Sequence, residues 1–451
     1  MTSFQTSAMA GVDSPYRRVR QTFRRWNRPD VSASEWWFAV ILLVLIGLRL
    51  KLPGGVNFGN VLAVLALPIT WQTVRRSKLF TILSTLTIIA LLSGFVLLML
   101  HLHWATFVRS EMITSIFLVT LFPAVAAAIA WGAERLTLPM AVAAYSAGLT
   151  FIGVRNIPTT PNPWKYVLGY PTTVLVLALV DRSPRWVQLL ALVGLAGLWA
   201  INDSRSILGY MAMIIALLIW QFLAEKFVIK ARTPRFLAAF QVSVLGALMT
   251  VVMIAIVTAA ASGLLGDSAK ARTQAQASSS TNVVLSARPE AAATWGLLKH
   301  RPEGFGLGIK PGYDDERAAM YEMHGIEYDP ENGYVYNYIF GHGVELHSST
   351  SDLWAATGIP GIALALFCFC LVIAALVRNL GSFHLSPWLF FVAIGALWDT
   401  FFSPLITSAP GIAVTIGALL AMRPLSQQAD LVRGTGPLRD DIKFSRIRRR
   451  S

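Results

Sequence analysis

The stretch LFTILSTLTIIALLSGFVLLML, residues 79–100, runs for 22 positions without a charged side chain. As a helix rising 1.5 Å per residue, it matches the ~30 Å hydrocarbon core of a bilayer. Arg75-Arg76 and Lys78 stand at one end of the run and Arg109 follows the other. Working outward, further apolar runs lie at 36–51, 57–73, 113–131, 138–154, 167–181, 186–202, 206–224, 236–262, 352–377, 386–402 and 409–423. The expected fold is an all-α polytopic membrane protein of about 12 transmembrane helices, with one long, partly folded external loop.

Composition agrees. The 451 residues are 55% hydrophobic and 14% charged, with a mean hydropathy of +0.57, whereas a soluble domain carries roughly 25% charged residues. The net charge of +14 is not a nucleic-acid footprint, because the excess sits in tails and short loops. With both termini inside, the cytoplasmic segments hold about 25 Lys/Arg and the short external loops about six, the bias that orients membrane proteins. Roughly 30 polar and basic residues precede the first run, so that helix is expected to stay as an anchor. The organisation read from these features is a basic cytoplasmic tail at 1–35, nine helices over 36–262, an external loop at 263–350, three helices over 351–423 and a second basic tail at 424–451. Cys368 and Cys370, two apart in one run, face different sides of a helix and form neither a disulfide framework nor a thiolate metal site.

The external loop departs from the rest of the chain. It opens on a small, polar, flexible stretch from Ala269 to Asn282, and Pro289 to His300 follows with a helical pattern whose proline suits a first turn. Gly304-Phe305-Gly306-Leu307-Gly308 then allows tight turns and close backbone approach. A segment rich in Tyr, Asp, Glu and His closes the loop, and the Tyr313–Tyr338 half is too aromatic for disorder.

Three residues carry chemistry. Arg205, in Asn202-Asp203-Ser204-Arg205-Ser206, must lie at the external interface because the hairpin is so short; it suits either a snorkelling anchor or an anion ligand. Arg288 stands fifteen residues short of the glycine run. His347 precedes Ser348-Ser349-Thr350-Ser351, a helix-start signal, and neutral imidazole is the side chain suited to take a proton near pH 7. His300, His324 and His342 compete with it, but two histidines without a third ligand at a recognised spacing do not make a metal site. Asp314-Asp315-Glu316 reads as a solvated acidic turn. Arg155 and Lys165 read as interfacial anchors that add positive potential, and Asp399 as a helix-end acid that caps or pairs with an arginine.

Taken in order, these phrases resemble the bacterial O-antigen ligase and Wzy-type polysaccharide polymerase family. The shared features are an arginine at the external end of a mid-chain helix, then a long loop with Arg288, Trp295, Pro302 and the Gly304-x-Gly306-x-Gly308 run. His347 follows, ahead of a helix with Gly358-Ile359-Pro360-Gly361. The match covers roughly Asn202 to Gly361; where family members commonly have Asn after the histidine, this chain has Ser348. The resemblance implies a metal-independent, cofactor-free, inverting glycosyltransferase of the GT-C type, at the outer face of the inner membrane. Its donor would be an undecaprenyl-pyrophosphate-linked oligosaccharide and its acceptor a sugar hydroxyl on a glycan or glycolipid. Membrane lipids and other polysaccharide-assembly proteins would be its partners. In that reading Arg205 and Arg288 hold the pyrophosphate and His347 is the general base. Gly304, Gly306, Gly308, Arg301 and Tyr338 complete the substrate site. The arginine-to-glycine interval tips the balance slightly toward a polymerase over a ligase. The alternative is a transporter or flippase of lipid-linked glycans, whose binding residues belong near the bilayer midplane.

Overall fold

The computed structural model describes residues 31–52, 56–202, 204–227, scattered positions between 243 and 263, and 288–326, 328–331, 333–341, 343–380 and 386–422. The described residues are mostly helical, 79%, with few strands. The first half contains α1 (Ala33–Gly47), α2 (Phe58–Leu65), α3 (Leu67–Val74), α4 (Lys78–His101), α5 (Arg109–Arg135), α6 (Leu138–Arg155), α7 (Gly169–Leu179), α8 (Arg185–Ile201) and α9 (Arg205–Phe227). The second half adds α10 (Pro289–His300), α11 (Tyr313–His324), α12 (Ser349–Thr357), α13 (Ile359–Leu380), α14 (Pro387–Phe402) and α15 (Leu405–Ala421).

Among the described residues three helices, α4, α5 and α6, are long and apolar enough to cross a membrane, and shorter apolar segments recur in α1, α8, α9, α13, α14 and α15. Two expected spans are broken. That at 57–73 is divided between α2 and α3 at Ala66, with Pro68 in the first turn of the second helix. That at 352–377 is divided at Gly358, whose φ of +69° ends α12 and starts α13 in a new direction. The expected 236–262 span falls largely outside the described residues, as do the 269–282 stretch, His342 and both basic tails.

The centre is α5. Every residue from Leu121 to Ala133 is buried, so this helix is enclosed on all sides rather than amphipathic. Its alanines admit α15 closely: a Cβ added to Gly417 would stand 2.9 Å from Ala126 Cα. Small residues at such crossings let backbones approach where hydrophobic burial offers no preference between lipid and neighbour. The outer surface is apolar as well. Leu92, Val96, Met99 and Leu100 on α4 point outward at about 60% exposure, a stripe that fits lipid contact and not water.

The described residues between 288 and 346 form a cap on one end of this bundle. Pro289–His300 is helical over the range expected, and α10 packs on α11 around a core of its own: Ala293, Leu297, Ala319, Met323, Val335 and Ile339. That core includes Leu98 of α4 and Trp354 of α12, so cap and bundle are fused. A two-stranded ribbon adds a seam, β1 (Thr106–Phe107) pairing antiparallel with β2 (Ile309–Lys310).

Candidate active site

His347 is held by the start of α12. Ser348 caps that helix, its Oγ accepting from Ser351 N at 3.3 Å, as the Ser/Thr cluster predicts. Asp352, one turn on, accepts from Leu346 N at 2.8 Å and from Leu405 N at 2.7 Å, tying both the residue before His347 and the first turn of α15 to one carboxylate. Ser349 Oγ bonds Asp399 O, and Thr350 Oγ1 donates to Thr400 O at 2.8 Å. With these fasteners on either side, His347 sits at φ +48°, and it is the one non-glycine among the described residues in the left-handed region. Such a conformation costs of order 1–3 kcal/mol and persists where surrounding structure over-determines it.

The imidazole faces Glu290, in the first turn of α10, with Nδ1 3.7 Å from Oε1. That is longer than a hydrogen bond. Neither His347 Nδ1 nor Glu290 Oε2 has a hydrogen-bond partner, and both atoms are buried. Tyr334 Oη donates to Glu290 Oε1. Tyr334 and Tyr338 stack at 5.3 Å, and the Tyr338 ring lies 5.0 Å from that of His347. Burial holds His347 below its ordinary value, the Glu290 carboxylate opposes this, and the Arg288 charge adds to it. Burial also raises the Tyr334 phenol, reinforced by its bond to Glu290, so Tyr334 stays a donor. The result is a neutral imidazole at pH 7 beside a carboxylate, under an aromatic platform.

Arg288 caps the other end of the same corner. Its Nη1 reaches Phe402 O at 3.4 Å, and its guanidinium lies 5.5 Å from the Phe402 ring and 5.9 Å from the Trp398 ring. Tyr210, in the second turn of α9, packs edge-on against the same Trp398 at 6.1 Å. Arg205 is the first residue of α9, so the backbone brings the expected arginines to one end of the bundle; the Arg205 side chain lies outside the described residues. Asp399, expected to cap or pair with an arginine, takes a hydrogen bond from Ser403 Oγ at 2.6 Å.

The glycine run, expected in the substrate site, lies against the protein's own backbone. Gly304, Gly306 and Gly308 have φ of +89°, +104° and +74°. A Cβ at Gly306 would stand 2.5 Å from Leu98 N; one at Gly308, 2.7 Å from Met112 Cβ; one at Gly304, 2.5 Å from Trp354 O. The amides of Phe305 and Gly306 donate to Ala355 O and that of Leu307 to Gly94 O. His101, buried at the end of α4, bonds Phe305 O through Nδ1 at 2.7 Å. The run is a strap that lays the cap directly on the backbones of α4, α5 and α12.

Arg301 is likewise committed inside the cap. Its Nε donates to Asp315 Oδ1 at 2.6 Å and its guanidinium lies 3.9 Å from the centre of the Trp104 ring. Asp315 is 1% exposed and also accepts from Gly312 N at 2.9 Å, so the acidic turn is not solvated at its middle residue. Burial there is tolerable because the charge is paired and hydrogen-bonded. His300, a competitor for the base, points Nε2 at the same carboxylate at 3.4 Å, away from the His347 corner. Among the described residues no group of three or more potential metal ligands occurs.

Glu290, Tyr334 and Asp352 belong to the site and were not singled out by the sequence reading. An acid in the first turn of a helix ordinarily answers the helix dipole, which hides the second use of Glu290. No known family model, no curated protein and no solved structure matches the chain.

Proposed function

We propose that the chain is a polytopic glycosyltransferase of about twelve spans in a bacterial inner membrane, both termini inside. It transfers or polymerises an undecaprenyl-pyrophosphate-linked glycan onto an acceptor sugar hydroxyl at the outer face. The observation that carries this reading is the facing pair of His347 and Glu290 at 3.7 Å, with Arg288 at the same corner. Base, orienting carboxylate and fixed cation are the parts that such a displacement needs.

In this mechanism the acceptor hydroxyl oxygen attacks the anomeric carbon while its proton passes to neutral His347. The bond from that carbon to the phosphate oxygen breaks, and undecaprenyl pyrophosphate leaves with the electron pair. One displacement inverts the anomeric centre. Glu290 stabilises the imidazolium as it forms. Arg288, with Arg205 from the start of α9, offers planar donors to the pyrophosphate charge. The half-exposed Tyr338 and its stacked neighbour Tyr334 offer an apolar face for a sugar ring. In this reading the glycine strap and Arg301 act by fixing the cap that brings Glu290 over His347.

The test is complementation of a deletion strain with His347→Ala, Arg288→Ala or Arg205→Ala chains, with products resolved by length on a gel and membrane insertion checked in parallel. Each variant should insert normally and make no product. Near-normal transfer by purified His347→Ala removes the base assignment. Loss of the ladder with single units still attached identifies a polymerase, the form favoured here. Loss of all attached glycan with lipid-linked chains accumulating identifies a ligase.

A further inference from the structure

A second basic site lies on the same end of the bundle, away from His347. Helices α1 and α6 cross at a glycine pair: a Cβ on Gly47 would run into Tyr145 O, and one on Gly148 into Val44 O. This contact brings the ends of the two helices together. Beyond it, α1 passes into a tight hairpin, where Leu52 N donates to Val56 O at 2.7 Å, Phe58 N to Leu50 O at 2.8 Å, and Lys51 bridges to Asn57. Arg155 ends α6, and a short 3₁₀ turn, Ile157–Thr159, follows it. Between these walls is a cavity of about 350 Å³ lined by Arg49, Lys51, Arg155, Asn156, Thr159 and Thr160, with Leu50 and Ile152.

Three cations from two segments line one cavity, and among the described residues none of them makes an ion pair. Arg49 spends Nη2 on Ile406 O at 2.9 Å, but its Nε is buried with no partner. A buried guanidinium donor left unbonded is costly unless an acceptor completes it. The Thr159 and Thr160 hydroxyls donate to Asn156 O and so shape the wall, while the three cations supply the donors that suit phosphate oxygens. The surroundings are apolar: Phe151, one turn below Arg155 on α6, is 63% exposed, and Val154, Ile157 and Leu52 are also exposed.

We propose that this cavity binds the phosphate headgroup of an anionic lipid whose chains lie against the exposed apolar face of α6. The site is separate from the Glu290–His347 corner, yet linked to it by two contacts. Arg49 holds Ile406, in the first turn of α15, whose leading residue Leu405 is bonded to Asp352. On the other side, Asn162 Nδ2 donates to Asn202 O at 3.1 Å, three residues before Arg205. A lipid phosphate here is therefore placed as a neighbour of the reacting centre, not as its leaving group.

Native mass spectrometry of the purified full chain tests this, with farnesyl diphosphate and inorganic pyrophosphate as probes. In an Arg288→Gln background, a farnesyl diphosphate site should persist, and adding Lys51→Gln and Arg155→Gln should weaken it about tenfold or more, since two charge-assisted contacts are lost. Both side chains are exposed, so the fold should survive; the charge-keeping Lys51→Arg/Arg155→Lys pair should restore binding. Unchanged binding in the Gln variants overturns the site. Inorganic pyrophosphate bound as tightly as farnesyl diphosphate overturns the lipid assignment and leaves a free-phosphate site. The glycosyltransferase reading fails separately, on the His347 and Arg288 transfer assays.

Discussion

Replacing Gly306 with alanine separates a strap from a phosphate cradle. At φ +104° an L-residue lies beyond even the left-handed well, a strain of order 1–3 kcal/mol. The new Cβ also meets Leu98 N at 2.5 Å and Leu97 C at 2.8 Å, backbone atoms inside α4 that cannot swing aside; overpacking of this kind costs roughly 1–3 kcal/mol. Together these loosen the cap by about 4 kcal/mol, or about a thousandfold in the ratio of docked to undocked cap. The hydrogen bonds of Phe305 and Gly306 to Ala355 O are the ones released. Limited trypsinolysis of the detergent-solubilised chain reads this, because Lys299, Arg301, Lys310 and Arg317 all lie in the cap. Cleavage there should accelerate while the bundle is cut at its usual rate. Gly197→Ala on α8, where nothing lies within 4 Å of the new Cβ, should behave as wild type. If Gly306→Ala leaves the cap as resistant as before yet abolishes transfer, the run is a cradle and the docking argument is refuted.

Charge variants at the site should move the pH profile in opposite directions. In the proposed reaction the neutral imidazole of His347 is the active form, and its pKa is held below the ordinary value by burial and by Arg288, against Glu290. The His347 imidazole titration, followed by NMR of the purified chain, should therefore shift to lower pH in Glu290→Gln and to higher pH in Arg288→Gln; a shift in the same direction for both removes this electrostatic account. Asp315→Ala breaks a buried pair and strands Arg301 and Gly312 N, a loss of about 3 kcal/mol or more. Hydrogen exchange should then deprotect amides of 300–324, and unchanged protection would show that Asp315 does not hold the cap.

The local parts of this architecture were legible because their causes are local. Pro289 marks a helix start from its own φ, Ser348 marks a cap from its own hydroxyl, and an uncharged run of 22 residues can hardly be anything but a buried or lipid-facing helix. Breaks inside apolar runs were harder to see. Gly358 and the Ala66–Pro68 step read as continuous hydrophobicity, and only packing shows that the chain turns there. Residues whose role depends on a distant partner left no trace in spacing. Glu290 meets Tyr334 across 44 residues, Asp352 reaches Leu405 across 53, and Asp315 meets Arg301 only because α10 and α11 fold on each other. The glycine run was read correctly as a place of close approach, but the approaching surface is the protein's own backbone.

The seam made by the strap and the β1–β2 ribbon has a consequence for traffic. A cap nailed along α4 and α5 is a fixed awning, not a hinged door, so nothing bulky enters from above on that side. Arg288 stands off this seam, beside Phe402 and Trp398. Under the proposed reaction, a donor tethered to a long hydrocarbon tail then comes in sideways from the bilayer, headgroup leading, rather than past the seam.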